Sequence, residues 1–395
     1  MDYESLLLTS CDRRSFLESC MKGTCALGLG SMMMGQSELF ASLDSAGELL
    51  SAQPSGSEER FVKQARHYKK FGNNLVRCNL CPHHCPVPDG GRGLCNVREN
   101  RRGTYYTLVY SRICAIHIDP IEKKPLFHYK PGTNALSIAT PGCNFSCKFC
   151  QNWQISQSRP EDINCRYFSP QDIVSRAVNA KTPTIAYTYS EPTIFYEYMY
   201  DTAKLGNEHG VKSVAITNGF MEQQAQDELL DHLDGIKVDL KSFTEKFYNQ
   251  ICSGSLKGVK DSLKRIRARD KWLEIVVLII PTLNDSAQEI TEMAKWIAGE
   301  LGCDVPVHFS RFHPQYKLKN LPATPISTLE RCIDICKQQG LKYTYLGNTP
   351  GHSAENTYCP SCGKPIIKRY GFYVLSNKIK NGKCTFCGST VAGVF

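Results

Sequence analysis

The sequence lacks three features that would each place it in a common class of proteins. No segment outside the N-terminal part approaches the roughly 20 unbroken apolar residues of a transmembrane helix. No glycine-rich G-x-G-x-x-G turn follows the first predicted strand, which argues against a dinucleotide-binding sheet. A basic stripe with interleaved aromatic side chains is also missing, although the formal net charge is +9. We therefore expect no transmembrane span and no nucleic-acid partner.

Cysteine, by contrast, is abundant in a chain whose composition is otherwise that of a globular protein. There are 20 cysteines among 395 residues, and many are grouped at gaps of two or three residues. Such gaps let a tight turn direct several thiolates at one point, which is typical of metal sites. Disulfides are a weaker interpretation, because a chain of this length can build a proper core without them. The length predicts two or three domains, or one large α/β domain with appendages.

Short β-branched and aromatic runs alternate with helical patterns from about residue 135 onward. This alternation predicts an α/β fold with a parallel sheet and right-handed crossovers, built either as an open barrel or as a doubly wound layer. Ser169 before Pro170 predicts one helix start, and Gly302 predicts a helix end. The predicted strands lie at residues 135–140, 183–188, 212–217, 235–240, 273–280, 305–310 and 341–346.

Polar clusters follow six of these strands at their carboxyl ends. In a parallel barrel those ends share one face, and the active site lies there. Six independent loops converging on one rim are difficult to explain by stability alone, so this face is the predicted site. In chain order the clusters are Pro141 to Cys143, Ser190 to Pro192, Thr217 to Gly219, Asp239 with Lys241, Pro281 to Asp285, and Ser310 to Pro314 with Arg311 and His313.

The first of these loops, TPGCNFSCKFCQNW, carries Cys143, Cys147 and Cys150 at C-x3-C-x2-C spacing. Three thiolates can bind three irons of a [4Fe–4S] cluster and leave the fourth iron without a protein ligand. An amino acid suits that iron, because its amine and carboxylate form a five-membered chelate. If the amino acid is S-adenosylmethionine, one electron cleaves its C–S bond and leaves a 5′-deoxyadenosyl radical. Zinc with a distant fourth ligand is the alternative.

The same spacing, with Phe149 before the last cysteine, resembles the signature of the radical S-adenosylmethionine (radical SAM) superfamily. Within it, the chain resembles the pyruvate formate-lyase activating type, and among these the radical enzyme of the AmmeMemoRadiSam system. The likeness runs from about Arg77 to Phe395. It implies a partial (β/α)6 TIM-like barrel and a [4Fe–4S] cluster on the three cysteines. The motifs that carry it are CNLCPHHCPVPDGGRGLCNVREN, DPIEKKPLFHYKPG, GCNFSCKFCQNWQISQ, YTYSEPTIFYEY and GNTPGHSAENTYCPSCG.

The resemblance also implies which residues bind S-adenosylmethionine. Ser190 and Glu191 stand where the family has a GGE motif that receives the amino group, with Tyr189 and Ser190 in place of the two glycines. Asn218 would lie near the ribose or the carboxylate. Two structural alternatives stay open: Glu191 capping the helix that follows it, and Asn218 as a turn residue before Gly219.

Three further rim residues receive roles from the resemblance. Asp239 and Lys241 match the DLK of the activating enzymes, in which the lysine pairs with the methionine carboxylate. His313 matches a rim histidine. The corresponding alternatives are a structural ion pair between Asp239 and Lys241, and a loop histidine with no ligand contact.

Two further cysteine sets flank the predicted core. Cys359, Cys362, Cys384 and Cys387 form C-x2-C-x21-C-x2-C, and a glycine after each pair permits the left-handed turn of a zinc ribbon. We expect this zinc to be structural, because the lobe is too short for a core of its own.

The second set is Cys78, Cys81, Cys85 and Cys95, which encloses two histidines. Zinc and an accessory iron–sulfur cluster both fit four thiols. Zinc is favoured, because related activating enzymes insert their extra clusters after the three-cysteine loop and not before it.

The N-terminal residues resemble an export signal. Arg13 and Arg14 precede a weakly apolar run, as in a twin-arginine leader. S-adenosylmethionine and low-potential reductants are cytosolic, so we expect a cytoplasmic enzyme whose leader is vestigial or membrane-associating; a periplasmic form is the alternative. The predicted divisions are a leader at 1–42, a linker at 43–70, a Cys-rich segment at 71–130, a radical SAM core at 131–350 and a zinc-ribbon-like lobe at 351–395.

The predicted function is reductive cleavage of S-adenosylmethionine followed by hydrogen abstraction. A reductant such as ferredoxin or flavodoxin is expected, and the resemblance alone suggests a protein substrate, for example a glycine of a glycyl-radical enzyme. The alternative is an iron–sulfur electron carrier without S-adenosylmethionine chemistry. A zinc-ribbon nucleic-acid binder would need the basic stripe that the sequence lacks.

Overall fold

The computed structural model describes residues 58–395, so the predicted leader at 1–42 lies outside the described residues. Within that part of the chain, no helix combines the length and apolar character needed to span a bilayer. The strands of the described part, in chain order, are β1 (Lys63–Gln64), β2 (Tyr68–Lys70), β3 (Val76–Cys78), β4 (Pro86–Val87), β5 (Arg98–Arg101), β6 (Thr104–Thr107), β7 (Arg112–Ile113), β8 (Ala115–Pro120), β9 (Asn134–Ala139), β10 (Arg166–Tyr167), β11 (Thr184–Tyr187), β12 (Lys212–Thr217), β13 (Gly235–Asp239), β14 (Trp272–Ile279), β15 (Val307–Arg311), β16 (Thr344–Gly347), β17 (Thr357–Tyr358), β18 (Pro365–Tyr370), β19 (Tyr373–Asn377), β20 (Ile379–Lys380) and β21 (Lys383–Cys384).

Helices lie mainly between the strands of the second half of this list. Two of them run on into single π-helical turns, Tyr248–Cys252 and Ile297–Leu301. The α-helices are α1 (Trp153–Ser156), α2 (Pro170–Asn179), α3 (Tyr196–Glu208), α4 (Gln223–Leu230), α5 (Glu245–Phe247), α6 (Leu256–Ala268), α7 (Ala287–Trp296) and α8 (Ile326–Gln338).

A mixed eight-stranded sheet forms the centre of the fold. Its strand order is β16-β15-β14-β13-β12-β11-β9-β8, in which β8 is antiparallel to β9 and all other neighbours are parallel. The seven predicted strands are confirmed as the seven parallel strands. The order follows the chain without the reversal that a doubly wound layer requires. The carboxyl ends of the parallel strands therefore lie along one edge of a continuous sheet.

Local sequence explains how two of the crossover helices begin and end. Ser169 caps α2, since its hydroxyl accepts from the amide of Asp172 at 3.1 Å while the Asp172 carboxylate accepts from the Ser169 amide at 2.7 Å. This reciprocal pair satisfies donors that the first turn leaves free. After α7, the chain leaves its π-helical turn at Gly302 with φ +101°, a conformation that favours glycine. Both predicted helix boundaries are confirmed.

The predicted linker at residues 43–70 is too long at its C-terminal end. Residues 58–70 fold onto the rest of the chain, with Phe61 and Ala65 buried and β1 paired to β6. The Ser- and Gly-rich composition ends before this point, and the apolar residues that follow can be buried. A buried ion pair also ties the Cys-rich segment to α3: the Arg98 guanidinium donates to both oxygens of Glu197 at 2.7 and 2.9 Å.

The buried residues of the C-terminal lobe form one small core together with residues at the end of the central sheet. Strands β17, β18 and β19 form an antiparallel sheet. Its buried residues pack with Phe127 and Tyr345, and buried Arg369 donates to the carbonyl of Phe127 at 2.8 Å. This packing places the turn between β18 and β19 beside the carboxyl ends of the parallel strands.

Candidate active site at the carboxyl ends of the parallel strands

A cavity of about 540 Å³ opens at the carboxyl edge of the sheet. Eight of the nine predicted rim residues line it; the ninth, His313, is exposed and lies outside the lining. Strand β15 ends at Arg311 and buried Phe312 turns inward, which leaves His313 on the outer side. The eight lining residues are Cys143, Cys147, Cys150, Ser190, Glu191, Asn218, Asp239 and Lys241.

The three-cysteine loop follows β9 and is held by backbone hydrogen bonds. Gly142 has φ +99°, and a Cβ there would come within 2.5 Å of a methyl group of Val97, so the turn requires glycine. The amides of Ser146 and Lys148 donate to carbonyls of the π-helical turn Tyr248–Cys252 at 2.9 and 3.0 Å. The loop is thus fixed from both sides before any ligand is bound.

The three thiols differ in their surroundings. Burial raises the pKa of the Cys143 and Cys150 thiols, and the Ser156 hydroxyl lies 3.1 Å from Sγ of Cys150. A hydrogen bond with Cys252 lowers the pKa of Cys147, and the positive charge of Lys241 acts in the same direction. Thiolates, not thiols, bind iron, so these partners favour the form that a metal requires.

The three thiols of this loop are not spaced as the ligands of a single tetrahedral ion are. A tetrahedral zinc ion with Zn–S bonds of about 2.3 Å holds its sulfur atoms only about 3.8 Å apart. Among residues 58–395, Cys143, Cys147 and Cys150 do not form a group with all donor atoms within 4.8 Å of one another. In a [4Fe–4S] cluster each thiolate binds its own iron, and the sulfur atoms therefore stand farther apart.

Strand β13 places a Lys–Asp–Lys group (Lys237, Asp239 and Lys241) on the cavity. Lys241 Nζ lies 3.0 Å from one oxygen of Asp239, and Lys237 binds the other. Burial opposes ionisation of Asp239, but the two lysines outweigh it and lower its pKa to about 2. With two cations and one anion, the group carries a net positive charge toward the cavity. The sequence reading missed Lys237, although alternation along the strand puts it on the same side as Asp239.

Glu191 is buried and accepts four hydrogen bonds from the chain itself. One oxygen accepts from the amide and hydroxyl of Thr193 at 3.0 and 2.7 Å and from the hydroxyl of Thr217 at 2.6 Å. The other accepts from the amide of Asn218 at 2.7 Å. Burial raises its pKa, against the effect of these donors. Glu191 therefore caps the turn Pro192–Phe195, as the structural alternative predicts, and also faces the cavity.

The residues before Glu191 form a turn that glycine usually makes. Tyr189 has φ +65°, so the tyrosine adopts a left-handed conformation at one of the two positions where the family motif has glycine. Its carbonyl accepts from the side chain of Asn152 at 2.8 Å, and its hydroxyl donates to Asp119. The Ser190 hydroxyl donates to the carbonyl of Thr140 at 2.7 Å. The turn is ordered entirely by contacts within the chain.

Asn218 connects its turn to the cysteine loop. Its amide nitrogen donates to Asn144 Oδ1 at 2.8 Å, and its Oδ1 accepts from the amide of Phe220 at 2.9 Å. Both ends of the side chain are therefore used within the protein, which is the arrangement of a turn residue. The loop after β14 acts in a similar way, since Asn284 donates to the carbonyl of Lys241 at 2.8 Å.

The cysteine end of the cavity is formed by the three thiols, Glu191 and the Lys–Asp–Lys group. We use the term far end for five other lining residues that the sequence reading missed, among them His308 of β15 and Leu346 of β16, the two strands at the other edge of the parallel sheet from β9 and its cysteine loop. The far end consists of Phe127, His308, Leu346, Glu355 and Phe372. The sequence did carry one signal for this part of the cavity, namely a polar residue, His308, in the middle of buried strand β15.

His308 is held by a buried carboxylate. Its Nε2 lies 2.8 Å from Glu274, which also accepts from the amides of Phe127 and His128 at 2.9 and 2.8 Å. Burial opposes ionisation of Glu274, but His308 helps to lower its pKa. The carboxylate assigns the proton to Nε2, and Nδ1 has no hydrogen-bond partner among the described residues.

A second lysine pair lies along the wall between the two ends. Lys124 Nζ lies 2.5 Å from Asp119, which Lys123 also contacts at 2.9 Å. Burial lowers the pKa of Lys124 to about 8. Both lysines line the cavity and come from the DPIEKKPLFHYKPG motif, to which the sequence reading gave no role.

The two flanking cysteine sets are each brought together. The donor atoms of Cys359, Cys362, Cys384 and Cys387 all lie within 4.8 Å of one another, which makes a four-thiol metal site. Gly363 and Gly388, which follow the two pairs, have φ +70° and +76° as expected. The other set, Cys78, Cys81, Cys85 and Cys95, lines a separate cavity of about 20 Å³.

Comparison with known proteins identifies the family. The sequence model of the family described as "Radical SAM superfamily" matches residues 137–297. The Uncharacterized protein MJ0808 of Methanocaldococcus jannaschii is 42% identical over 332 residues, which cover 84% of this chain and 99% of that protein. The pyruvate formate-lyase-activating enzyme of Clostridium pasteurianum is 23% identical over 198 residues, which cover 46% of this chain and 81% of that enzyme. A solved domain of a pyruvate-formate lyase-activating enzyme from Bacteroides vulgatus is 18% identical, with a TM-score of 0.37. The match covers 41% of this chain and 98% of that domain. The chain belongs to the radical SAM superfamily and is one of its enzymes.

Proposed function

We propose that the enzyme binds a [4Fe–4S] cluster through Cys143, Cys147 and Cys150 and cleaves S-adenosylmethionine reductively. When both are bound, one electron from the cluster breaks a C–S bond of the sulfonium and supplies the 5′-deoxyadenosyl radical that abstracts hydrogen. The observation that supports this most directly is a shared cavity: the three thiols and the Lys–Asp–Lys group line the same space of about 540 Å³. That volume lies within the range of roughly 300–1,000 Å³ that suits a small molecule.

The Lys–Asp–Lys group suits the methionine carboxylate. Lys241 keeps its charge, because Asp239 raises its pKa against the effect of burial. Asp239 binds both lysines and thereby fixes where the Lys241 ammonium stands. We assign carboxylate binding to Lys241 and a positioning role to Asp239.

The turn at residues 189–191 forms one wall of the cavity. The carboxylate of Glu191 is already occupied by donors of Thr193, Thr217 and Asn218. We therefore assign Glu191, Ser190 and Asn218 the task of shaping this wall of the site. His313 receives no role, because it is exposed and outside the cavity.

We propose an architecture of three parts. A Cys-rich segment ends near residue 130, a partial (β/α)6 barrel follows it, and a zinc-ribbon-like lobe occupies residues 351–395. The sequential strand order and the common cavity at the strand ends support the barrel. Sulfur distances of 3.6 Å between Cys359 and Cys387 and of 4.0 Å between Cys362 and Cys384 support zinc, for which about 3.8 Å is expected.

We propose ferredoxin or flavodoxin as the reductant and the cytoplasm as the compartment. We also propose a protein as the substrate, for the following reason. The turn between β18 and β19 forms one rim of the cavity, and there Phe372 lines the cavity while 43% exposed. Its neighbours Tyr370 and Tyr373 are 59% and 69% exposed. Exposed aromatic side chains beside a pocket are typical of surfaces that bind a polypeptide.

The decisive experiment is an anaerobic assay for 5′-deoxyadenosine. Reconstituted protein with dithionite and S-adenosylmethionine should release 5′-deoxyadenosine and methionine in equal amounts. Cys147→Ala should release neither, because one iron loses its thiolate. Cys303→Ser is the matched control, since this cysteine lines no site described above, and it should keep the activity.

Two results would contradict the proposal. One is wild-type protein that carries the cluster and is reduced but releases no nucleoside; this outcome favours the electron carrier. The other is product formation that is unaffected by Cys147→Ala.

A further inference from the structure

The Cys-rich segment gathers four thiols around one small enclosed space. The antiparallel pair β3 and β4 sets Cys78 against Cys85, whose carbonyl accepts from the Cys78 amide at 3.0 Å. Cys81 comes from the turn between these strands, and Cys95 from the turn before β5. All four line the cavity of about 20 Å³. The fold therefore brings the four thiols to one place.

The spacing within this set differs from that of the C-terminal four thiols. Across residues 58–395, only the C-terminal set has all its donor atoms within 4.8 Å of one another, as a single tetrahedral ion requires. Cys78, Cys81, Cys85 and Cys95 fail that criterion, as do the three cysteines of the active-site loop. The Cys-rich segment therefore lacks the close spacing of the C-terminal set and shares the wider spacing of the active-site loop.

Two buried donors without partners also face this space. Tyr105 Oη and Arg98 Nε are buried, have no hydrogen-bond partner in the described part of the chain, and belong to residues that line the cavity. A Cβ at Gly93 would lie 2.9 Å from Tyr105 Oη and 3.8 Å from Sγ of Cys85, so hydroxyl and thiol flank the same backbone position. A buried donor left unpaired is costly, and an anionic sulfur acceptor would satisfy it.

The histidines of this segment are engaged elsewhere. His83 Nε2 donates to the carbonyl of Asn144 at 2.8 Å, and His84 lies 3.2 Å from a carboxylate oxygen of Glu222. The ligand set is therefore thiolate alone. Buried apolar residues, including Leu80 and Ile194, complete the lining and keep water away from it.

This site touches the active-site loop directly. Asn144, which follows Cys143, lines the small cavity and accepts the hydrogen bond from His83. A Cβ at Gly142 would lie 3.1 Å from the carbonyl oxygen of Cys95. The two cysteine centres are thus separated by only a few residues of packed backbone.

We propose that Cys78, Cys81, Cys85 and Cys95 bind a second [4Fe–4S] cluster that passes electrons to the active-site cluster. A low-potential one-electron donor of the ferredoxin or flavodoxin class reduces the second cluster by one electron. That cluster is reoxidised when the electron moves to the cluster of Cys143, Cys147 and Cys150, and the electron is consumed in cleaving one C–S bond. The transfer step rests on the proposed function, whereas the metal content does not. This assignment replaces the zinc that the sequence reading favoured.

The first test measures metal content in the full-length protein. After anaerobic reconstitution, we expect about eight iron atoms per chain, four from each cluster. A variant with Cys143, Cys147 and Cys150 all changed to Ala should keep about half of that iron, and on reduction it should show an electron paramagnetic resonance signal that S-adenosylmethionine does not alter. Cys359→Ala is the matched control, which should lose zinc and keep all iron.

A triple variant that holds no iron and gains a second zinc ion would overturn the proposal. That result would leave the proposed function intact, since it concerns only the Cys-rich segment. Conversely, a second cluster in a protein that releases no 5′-deoxyadenosine would leave the metal assignment standing and remove the function.

The second test concerns electron transfer and uses Cys81→Ala with Cys85→Ala. With reduced ferredoxin or flavodoxin as the donor, 5′-deoxyadenosine formation should fall at least tenfold. With dithionite, which reduces the active-site cluster directly, the rate should stay within twofold of wild type. Equal rates with both donors in the wild type and the variant would exclude the transfer role.

If that double variant does not fold, Tyr105→Phe addresses the same site conservatively. Hydrogen bonds to cluster sulfur raise the reduction potential, because they stabilise the more negative reduced form. Removal of the hydroxyl should shift the potential of the second cluster downward and leave the iron content unchanged. An unchanged potential would show that this hydroxyl has no cluster beside it.

Discussion

The two ends of the active-site cavity are built in different ways. The cysteine end comes from short stretches of adjacent residues at strand ends, such as Cys143 to Cys150 and Lys237 to Lys241. The far end takes single residues from separate parts of the chain, including Phe127, His308 and Phe372. Short stretches of local sequence therefore encode the cysteine end, whereas tertiary packing assembles the far end.

The ends also differ in how their charges are supported. At the cysteine end, Asp239 is shared by two lysines, Lys237 on the same strand and Lys241 two residues beyond its end. At the far end, the single carboxylate of Glu274 holds His308 from the neighbouring strand and two backbone amides from residues 127 and 128. We therefore expect substitutions of the charged groups at the cysteine end to affect ligand binding first, and substitution of the carboxylate behind the far end to affect stability first.

The largest effect is expected from Glu274→Ala. This change leaves His308 and the amides of Phe127 and His128 without an acceptor in a fully buried place. Breaking such a network costs about 3–5 kcal/mol of unfolding free energy. Denaturant unfolding measures this loss, and exposed Glu292→Ala is the matched control, with an expected change below about 0.5 kcal/mol. Similar values for both variants would contradict the structural role of Glu274.

A smaller effect is expected from pH. Burial lowers the pKa of His128 to about 4, so as pH falls from about 6.5 the unfolded chain takes up a proton that the folded chain does not. Stability is therefore lost between about pH 6.5 and pH 4, by about 3 kcal/mol for this residue. At the cysteine end, Lys237 and Lys241 keep Asp239 ionised across that window.

Urea unfolding of wild type and His128→Gln at several pH values measures this contribution. The free energy of the variant should fall less steeply between pH 6.5 and pH 4 than that of the wild type. The comparison between the ends would fail if both proteins lost stability only below pH 4, where Asp239 begins to take up its proton.

Lys241→Ala should act on ligand binding with little effect on the fold. A hydrogen bond to a charged group contributes about 1.5–3 kcal/mol, so the dissociation constant for S-adenosylmethionine should rise roughly tenfold to a hundredfold. Equilibrium binding to the reconstituted protein measures it, with iron content as the check that the cluster is intact. His308→Asn at the far end is the comparison, with an expected change below about twofold. An equal rise of the dissociation constant in both variants would show that S-adenosylmethionine binding does not depend on the cysteine end alone.

The sequence predicted the cysteine end because its residues follow strands that are themselves easy to recognise. A buried parallel strand is a mostly apolar run, and the seven parallel strands are almost wholly buried even where a polar residue such as His308 interrupts the run. Strand β8 does not, because His117 and Ile118 are exposed at the edge of the sheet, and it was missed. Element boundaries such as Ser169 and Gly302 follow from capping chemistry and were predicted for the same local reason.

The far end was not predicted, because it depends on register and on long-range packing. Pairing of Val276 with His308 puts the histidine on the cavity side, whereas β15 by itself shows only that a polar residue interrupts a buried strand. Phe372 reaches the rim only because the C-terminal lobe packs on Phe127 and Tyr345. His313 was predicted from its position after a strand, but the inward turn of Phe312 moves it outside.

The smallest effect is expected from Phe372→Ala, and its value lies in comparison with Phe149→Ala. Both rings line the cavity, but Phe149 is 4% exposed at the cysteine end whereas Phe372 is 43% exposed at the far end. Removing the buried ring should cost about 3–5 kcal/mol of unfolding free energy, and removing the exposed one less than about 1 kcal/mol. The Phe372→Ala variant should still cleave S-adenosylmethionine with dithionite at a rate within about twofold of wild type, because this exposed ring comes from the turn between β18 and β19 and not from a strand end that carries the thiols or the Lys–Asp–Lys group. A large loss of cleavage in this variant would mean that the far end takes part in the chemistry common to the family, and the separation between the two ends would then have to be abandoned.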